Sequence, residues 1–85
     1  MKYRASKEWA RIRHAVYERD NWICQECGVK CLNTRDSKAH PNRKIQCHHI
    51  IRRRDGGLDV PENLVTLCMS CHHKRERAAD AALFA

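Results

Sequence analysis

The sequence has no long apolar run. Its first twenty residues, MKYRASKEWARIRHAVYERD, do not resemble a secretory signal, and no later stretch is long enough to cross a membrane. We therefore expect a cytoplasmic protein, in a compartment where thiols stay reduced and clustered cysteines more often hold metal. A secreted scaffold that is cross-linked by its six cysteines is the alternative.

Acidic residues are outnumbered by basic ones. Ten Asp and Glu face seventeen Lys and Arg, which gives a formal net charge of +7. Eleven of the basic residues are arginines, and guanidinium groups pair bidentately with phosphate. This bias favours a polyanionic partner. Internal repeats and low-complexity tracts are absent, so residues 1–85 are interpreted as one small domain. The core of such a small domain is marginal on its own and usually needs a staple, either disulfides or a structural metal.

Hydrophobic periodicity predicts a helix over about residues 6–19. Trp9, Ile12 and Val16 recur at three- and four-residue spacing and therefore share one face. Ser6 is a suitable N-cap for this helix. The sequence consequently predicts an amphipathic helix that packs on whatever follows it.

The middle of the chain predicts a hairpin. Residues 32–46 are polar, show no apolar period and are interpreted as a loop or a loosely structured insertion. Strands are expected at roughly 45–51 and 64–67. Between them, Gly56 and Gly57 permit positive φ, which suits a tight reversal.

From Cys71 onward the chain is rich in alanine and arginine and predicts a C-terminal helix. Leu83 and Phe84 are expected to close this helix against the core. His14 and His40 are interpreted as ordinary solvated histidines. The predicted fold class is therefore α+β.

Two Cys-x-x-Cys pairs predict a structural zinc site. Four thiolates from two separate chain segments supply the tetrahedral ligand set that zinc prefers. The predicted ligands are Cys24, Cys27, Cys68 and Cys71. Cys31 follows Cys27 by four residues and competes as a ligand, but a small buried or partly buried side chain is the favoured interpretation for Cys31 and Cys47.

Several separated motifs follow one another along the chain: HHI at 48–50, GG at 56–57, ENLVTLC at 62–68 and CMSCHHK at 68–74. In this order they resemble the motifs of the HNH endonuclease family, the ββα-metal nucleases. The segment EWARIRHAVYERDNWICQECG also resembles what precedes the motif in small phage and bacterial members. The resemblance spans nearly the whole chain except 32–46. It implies a zinc-stabilised ββα-metal core over about 45–83 and a DNA-hydrolysing enzyme.

The resemblance also implies roles for individual residues. His49 would be the general base, His48 and His72 would bind a catalytic divalent metal (Mg²⁺, Mn²⁺, Ni²⁺, Co²⁺ or Zn²⁺), and Asn63 would hold the hairpin loop and help to orient the base. Many relatives carry aspartate where this chain has His48, so its ligand set is softer. Glu76, one helical turn after His72, stands where the colicin branch has a further histidine.

Alternatives remain for these assignments. Adjacent residues of an ideal strand point to opposite faces. One of the two histidines could therefore be structural, unless a strand end, a bulge or ligation from opposite flanks lets both serve one site. Asn63 could be a simple turn residue, and His73 competes with its neighbour as a ligand. Glu76 could bind the metal, hydrogen-bond His72, or do neither.

DNA is the partner that the resemblance implies. Backbone contacts from basic residues carry no base information, so low sequence specificity is expected. The candidates are Arg52, Arg53, Arg54, Lys74, Arg75 and Arg77, for which a solvated charged face is the alternative. Phage packaging beside a terminase, restriction and homing are all compatible with the family, as is a monomer or weak dimer. A non-catalytic zinc-knuckle nucleic-acid-binding module is the alternative function. A redox role for Cys-x-x-Cys is disfavoured because no βαβ context is present.

Overall fold

A computed structural model of the protein describes the backbone of residues 7–84 and the side chains of residues 7–78. Two helices, α1 (Lys7–Arg19) and α2 (Met69–Phe84), flank two strands, β1 (Ile45–His49) and β2 (Leu64–Cys68). The strands form one antiparallel sheet. The predicted α+β fold class is confirmed.

Helix α1 packs through the face that its periodicity predicted. Trp9 and Val16 are buried, and Ile12 is partly buried against the same cluster. Tyr17, which the apolar spacing placed near the helix surface, is buried as well. The helix ends at Arg19, because the backbone of Asn21 and Trp22 turns left-handed, with φ of +56° and +59°. The side chain of Asp20 accepts a hydrogen bond from the Thr66 backbone N–H at 3.0 Å. That bond fixes the end of α1 to β2. The proposed N-cap, Ser6, lies outside the described residues.

Strand β1 ends at His49, two residues earlier than predicted. The backbone N–H of Ile50 still donates to the Asn63 carbonyl at 2.9 Å, but that of Ile51 donates to the Asn63 side chain at 2.8 Å. The backbone hydrogen-bond ladder stops here because the side-chain oxygen of Asn63, and not a backbone carbonyl of β2, accepts the hydrogen bond from Ile51. His48 and His49 are therefore the last two residues of the strand, opposite Val65 and Leu64.

The two glycines of the hairpin loop are needed for different reasons. Gly56 has a φ of +91°, as predicted, and open space around its missing Cβ. Gly57 is required by contact instead: a Cβ there would lie 1.7 Å from the carbonyl oxygen of Ile51. The expectation that both glycines serve positive φ is thus correct for Gly56 alone.

This difference predicts unequal costs of substitution. Gly56→Ala places a left-handed alanine in open space and is expected to cost about 1–2 kcal/mol of unfolding free energy. Gly57→Ala forces the backbone of Ile51 to move and is expected to cost about 3 kcal/mol or more. Denaturant unfolding of the two zinc-loaded variants measures both costs. Equal destabilisation would contradict the close approach seen at Gly57.

The segment 32–46 is ordered rather than loosely structured. It contains two short 3₁₀ turns, Asp36–Lys38 and Pro41–Arg43. The backbone N–H of Leu32 donates to the carbonyl of Arg43 at 2.8 Å, which closes the segment on itself. The interpretation of residues 32–44 as a loop is correct, and the alternative of a loosely structured insertion is not, because tight turns leave no apolar period. Residues 45 and 46 belong to β1.

Helix α2 follows β2 without a loop and begins at Met69, two residues earlier than predicted. The side chains of Leu83 and Phe84 lie outside the described residues, so their packing against the core stays a prediction. Across the part of the chain that the structure describes, neither helix is long and apolar enough to cross a membrane.

The core consists of two small clusters rather than one. The first surrounds the cysteines and contains Cys24, Cys31, Leu67, Cys68 and Cys71. The second joins α1 to the hairpin and contains Trp9, Val16 and Leu64, with Cys47 packed against it. Cys31 is buried and Cys47 half-buried, as predicted. With so little apolar core, the contacts made by the four predicted zinc ligands matter for the fold.

Candidate metal centres and active site

The four predicted zinc ligands, Cys24, Cys27, Cys68 and Cys71, converge. Their sulfur atoms all lie within 4.8 Å of one another, and the sulfurs of Cys27 and Cys68 are 3.8 Å apart. Thiolates that bind zinc tetrahedrally at about 2.3 Å are about 3.8 Å from each other. This four-cysteine cluster therefore has the ligands and the spacing to hold a zinc ion. Such an ion would join the turn after α1 to the junction of β2 and α2.

Position, and not acidity, separates Cys31 from the four-cysteine cluster, because burial raises the pKa of Cys68 and Cys71 within the cluster as well. At Cys24 burial opposes ionisation, but backbone N–H groups, led by that of Cys27, outweigh it and lower the pKa to about 6. At Cys31 burial, followed by the charge of Cys24, raises the pKa to about 12. Cys31 is absent from the four-sulfur group. It is therefore a buried side chain packed beside the cluster, as the favoured interpretation held.

A second group of ligands lies at the junction of β1 and α2. The ligand atoms of His48, His72 and Glu76 all come within 4.8 Å of one another. One oxygen of Glu76 is 3.7 Å from Nε2 of His72 and 4.0 Å from Nδ1 of His48. The structure thus brings together the two predicted ligands and adds Glu76, whose role the sequence left open. His73, the competing ligand, is exposed and does not join this group.

The chemistry of this group fits a divalent cation. Burial, ahead of the neighbouring charges, lowers the pKa of both His48 and His72, so both imidazoles are neutral at pH 7 and have a lone pair to donate. Nδ1 of His72 is buried without a hydrogen-bond partner in the described structure. A buried polar atom of this kind is expected where an ion or a water completes a site. The carboxylate of Glu76 adds the negative charge that a cation needs.

His49 faces the other side of the strand. Its ring stacks on Trp9 of α1, with centroids 5.6 Å apart and planes inclined by 19°. Its Nε2 contacts Oδ1 of Asp59, in the hairpin loop. Burial and then the charge of Arg53 lower its pKa, so the ring is neutral at pH 7 and can accept a proton.

Both faces of the strand end open onto one cleft. Its volume is about 540 Å³, and its lining includes His48, His49, His72 and Glu76. No bulge is needed, because His48 and His49 end β1 and the chain turns away after them. The strand end is one of the arrangements that the sequence left open.

The side chain of Asn63 holds the hairpin loop in place beside the cleft. Its buried side-chain amide donates to the carbonyls of Ile51 and Leu58 at 3.0 and 2.9 Å, and its oxygen accepts from the Ile51 N–H. These bonds fix the loop that carries Asp59. Asn63 therefore acts on the loop backbone, not as a turn residue alone.

The predicted DNA-binding residues differ in their surroundings. Arg52, Arg53 and Arg54 all line the cleft. Arg52 is paired with Asp55 at 3.0 Å, and Arg53 with Asp59 at 3.2 Å. On α2, Arg75 pairs with Glu26 of the first knuckle at 2.9 Å, while Lys74 and Arg77 are exposed. The structure places three of the predicted cations at the cleft and the others along the adjoining helix.

The model of the HNH endonuclease family matches residues 24–78. The chain belongs to the HNH endonuclease family. It is thus an endonuclease by family, an enzyme class that hydrolyses DNA, as the motifs predicted. Metals are used throughout this family, which agrees with the two ligand groups. The roles assigned to single residues stay predictions.

Two curated relatives extend this comparison. The chain is 33% identical to a protein named "Probable HNH endonuclease" from Lactococcus phage SK1, over 81% of this chain and 69% of the relative. It is 29% identical to "Type IV methyl-directed restriction enzyme EcoKMcrA" from Escherichia coli (strain K12), over 82% of this chain but only 24% of that protein. No solved structure gave a significant match.

Two residues beside His49 were not identified from the sequence. Asp59 lies ten residues after the histidine, across a loop, and no periodicity relates the two positions. Trp9 was assigned to the core face of α1, and its contact with the proposed base depends on how that helix packs. Two carboxylates, Asp59 and Glu62, lie between the glycines and Asn63, and the sequence does not show which of them contacts His49.

Proposed function

We propose that this HNH endonuclease cleaves DNA phosphodiester bonds with low sequence specificity, using a divalent cation at His48, His72 and Glu76 and His49 as general base. The observation that supports it is the shared cleft: a neutral imidazole, a three-residue ligand group and three arginines line a space of about 540 Å³. A zinc-knuckle module that only binds nucleic acid has no need of this arrangement.

The chemistry assigns a task to each side chain. His49 accepts a proton from a water molecule as that water's oxygen forms a bond to phosphorus and the bond from phosphorus to the 3′ oxygen breaks. The departing oxygen takes its proton from solvent. A cation held by the ligand group would stabilise the negative charge that develops on the phosphate oxygens. Arg52 and Arg54 contact the flanking backbone, whose phosphates look alike in every sequence.

The ligand group predicts which metals support cleavage. Two imidazoles and one carboxylate form a softer set than the oxygen ligands preferred by magnesium. Manganese, nickel or cobalt should therefore support nicking of supercoiled plasmid at least as well as magnesium, and EDTA should abolish it. Clear magnesium preference would contradict this ligand assignment. Zinc content and circular dichroism, measured alongside, distinguish loss of the catalytic cation from loss of the zinc at the four-cysteine cluster.

Glu76→Gln tests the third ligand within the same assay. Removing its charge is expected to raise the metal concentration for half-maximal cleavage at least about tenfold. Glu18→Gln is the matched control, since Glu18 is an exposed carboxylate on α1 that pairs only with His14 in the described structure. An unchanged metal requirement in Glu76→Gln would remove Glu76 from the site.

A further inference from the structure

A loop carboxylate contacts the ring of the proposed base. Oδ1 of Asp59 contacts Nε2 of His49, and only 15% of each side chain is exposed. A neutral imidazole has one N–H donor and one acceptor nitrogen, whereas an ionised carboxylate can only accept. With Asp59 ionised and His49 neutral, the contact assigns the proton to Nε2. Nδ1 is left as the nitrogen that can accept one.

Asp59 is itself held in place. Nε of Arg53 donates to the same carboxylate oxygen at 3.2 Å. The guanidinium of Arg53 lies over the ring of Trp9, 5.0 Å from its centroid, and Trp9 stacks on His49. The side chains therefore contact one another in a ring, which we call the base clamp. Its members are His49, Asp59, Arg53 and Trp9. Trp9 fixes the plane of the imidazole, and Asp59 fixes its rotation within that plane.

The residues of the base clamp come from three separate parts of the chain, which are α1, the end of β1 (His49) and the hairpin loop. Trp9 comes from α1, which precedes the residues that match the family model. Asp59 and Arg53 come from the hairpin loop, whose course is set by the hydrogen bonds of Asn63 to Ile51 and Leu58. The position of Asp59 is therefore determined by the fold of the loop. An exposed carboxylate without such support would rotate freely and orient nothing.

We propose that Asp59 is a positioning residue: it holds His49 as the Nε2–H tautomer, with Nδ1 directed to the attacking water. This rests on the proposed function, in which His49 is the base. It also gives Arg53 a role apart from DNA contact, because its guanidinium keeps the carboxylate in place. When His49 has taken a proton, Asp59 stabilises the positive ring, as an aspartate does beside a histidine base in hydrolases.

A double-mutant cycle tests whether Asp59 acts through His49. Asp59→Ala is expected to lower the single-turnover cleavage rate at saturating DNA and metal about 10–100-fold, without weakening DNA binding. In a His49→Ala background the same substitution should cause no further loss, because the group it positions is gone. An equal loss in both backgrounds would show a structural role and overturn the proposal.

The tautomer of His49 can be tested without measuring DNA cleavage. In ¹⁵N-labelled, zinc-containing protein, the imidazole signals missing from His49→Ala identify His49. We expect a protonated Nε2, with its proton protected from solvent exchange, and an unprotonated Nδ1. That protection should be lost in Asp59→Ala. A His49 ring protonated on Nδ1, or one whose Nε2 proton exchanges equally fast in both proteins, would overturn the proposal.

Asp55→Ala is the matched control. Asp55 lies in the same loop and also pairs with an arginine, Arg52, but its side chain is 51% exposed and it does not contact His49 in the described structure. Its cleavage rate at saturating DNA should stay within about twofold of the parent. If His49→Ala cleaves as fast as the parent, the assignment of the base fails. If His49→Ala is slow but Asp59→Ala cleaves as fast as the parent, His49 remains the base and the positioning role of Asp59 is wrong.

Discussion

Replacing His49 by alanine is expected to lower the single-turnover rate of plasmid cleavage about 10²–10⁴-fold, the usual contribution of a general base. The ring is neutral, is stacked on Trp9 and opens onto the cleft that holds the ligand group. DNA affinity should stay near that of the parent, because the imidazole is not among the groups expected to bind phosphate. Single-turnover nicking and a binding titration measure the two quantities separately.

His40→Ala is the control for this substitution. His40 is exposed in the segment 32–46 and is not part of the cleft lining. Its cleavage rate should equal that of the parent. A His49→Ala protein that retains zinc and cuts as fast as the parent would show that another group takes the proton.

Replacing Cys71 by serine is expected to abolish folding rather than merely to slow cleavage. The four-cysteine cluster lies within one of the two small core clusters and links the first knuckle, β2 and α2. Structural zinc sites supply on the order of 10–16 kcal/mol at pH 7, more than the whole stability of most small domains. The variant should bind no stoichiometric zinc and lose its helical circular dichroism at 25 °C.

Cys31→Ala separates loss of the ion from loss of packing. Cys31 is equally buried in the same cluster, but its sulfur is not one of the four that converge. This variant should keep one zinc per chain and stay folded, with a lower midpoint of thermal unfolding. Zinc loss from Cys31→Ala, or a folded zinc-free Cys71→Ser protein, would contradict the assignment of the ligands.

The catalytic and structural substitutions therefore fail in different ways. Loss of His49 should leave a folded, zinc-containing protein that binds DNA. Loss of Cys71 should remove the protein's structure and with it every activity. The difference follows from position, since His49 lies at the open end of β1 while Cys71 is buried at the start of α2.

The sequence predicted the periodic and the local features well. The apolar face of α1 and the two strands were predicted to within two residues, because side-chain periodicity reports directly which face is buried. The segment 32–46 was predicted as a loop without internal detail, since short 3₁₀ turns closed by backbone hydrogen bonds leave no such period. The early end of β1 was also missed, because it depends on the Asn63 side chain bonding a residue twelve positions away.

By itself the sequence determined the ligand types, the order of the motifs and the family, because these depend on residue identity and spacing along the chain. Only the tertiary structure decided that His48 joins Glu76 while its neighbour His49 turns to Trp9 and Asp59. The physical reason is that these contacts join residues from α1, the hairpin loop and α2. Which of them meet depends on how the hairpin packs against the two helices, and spacing along the chain carries no information about that packing.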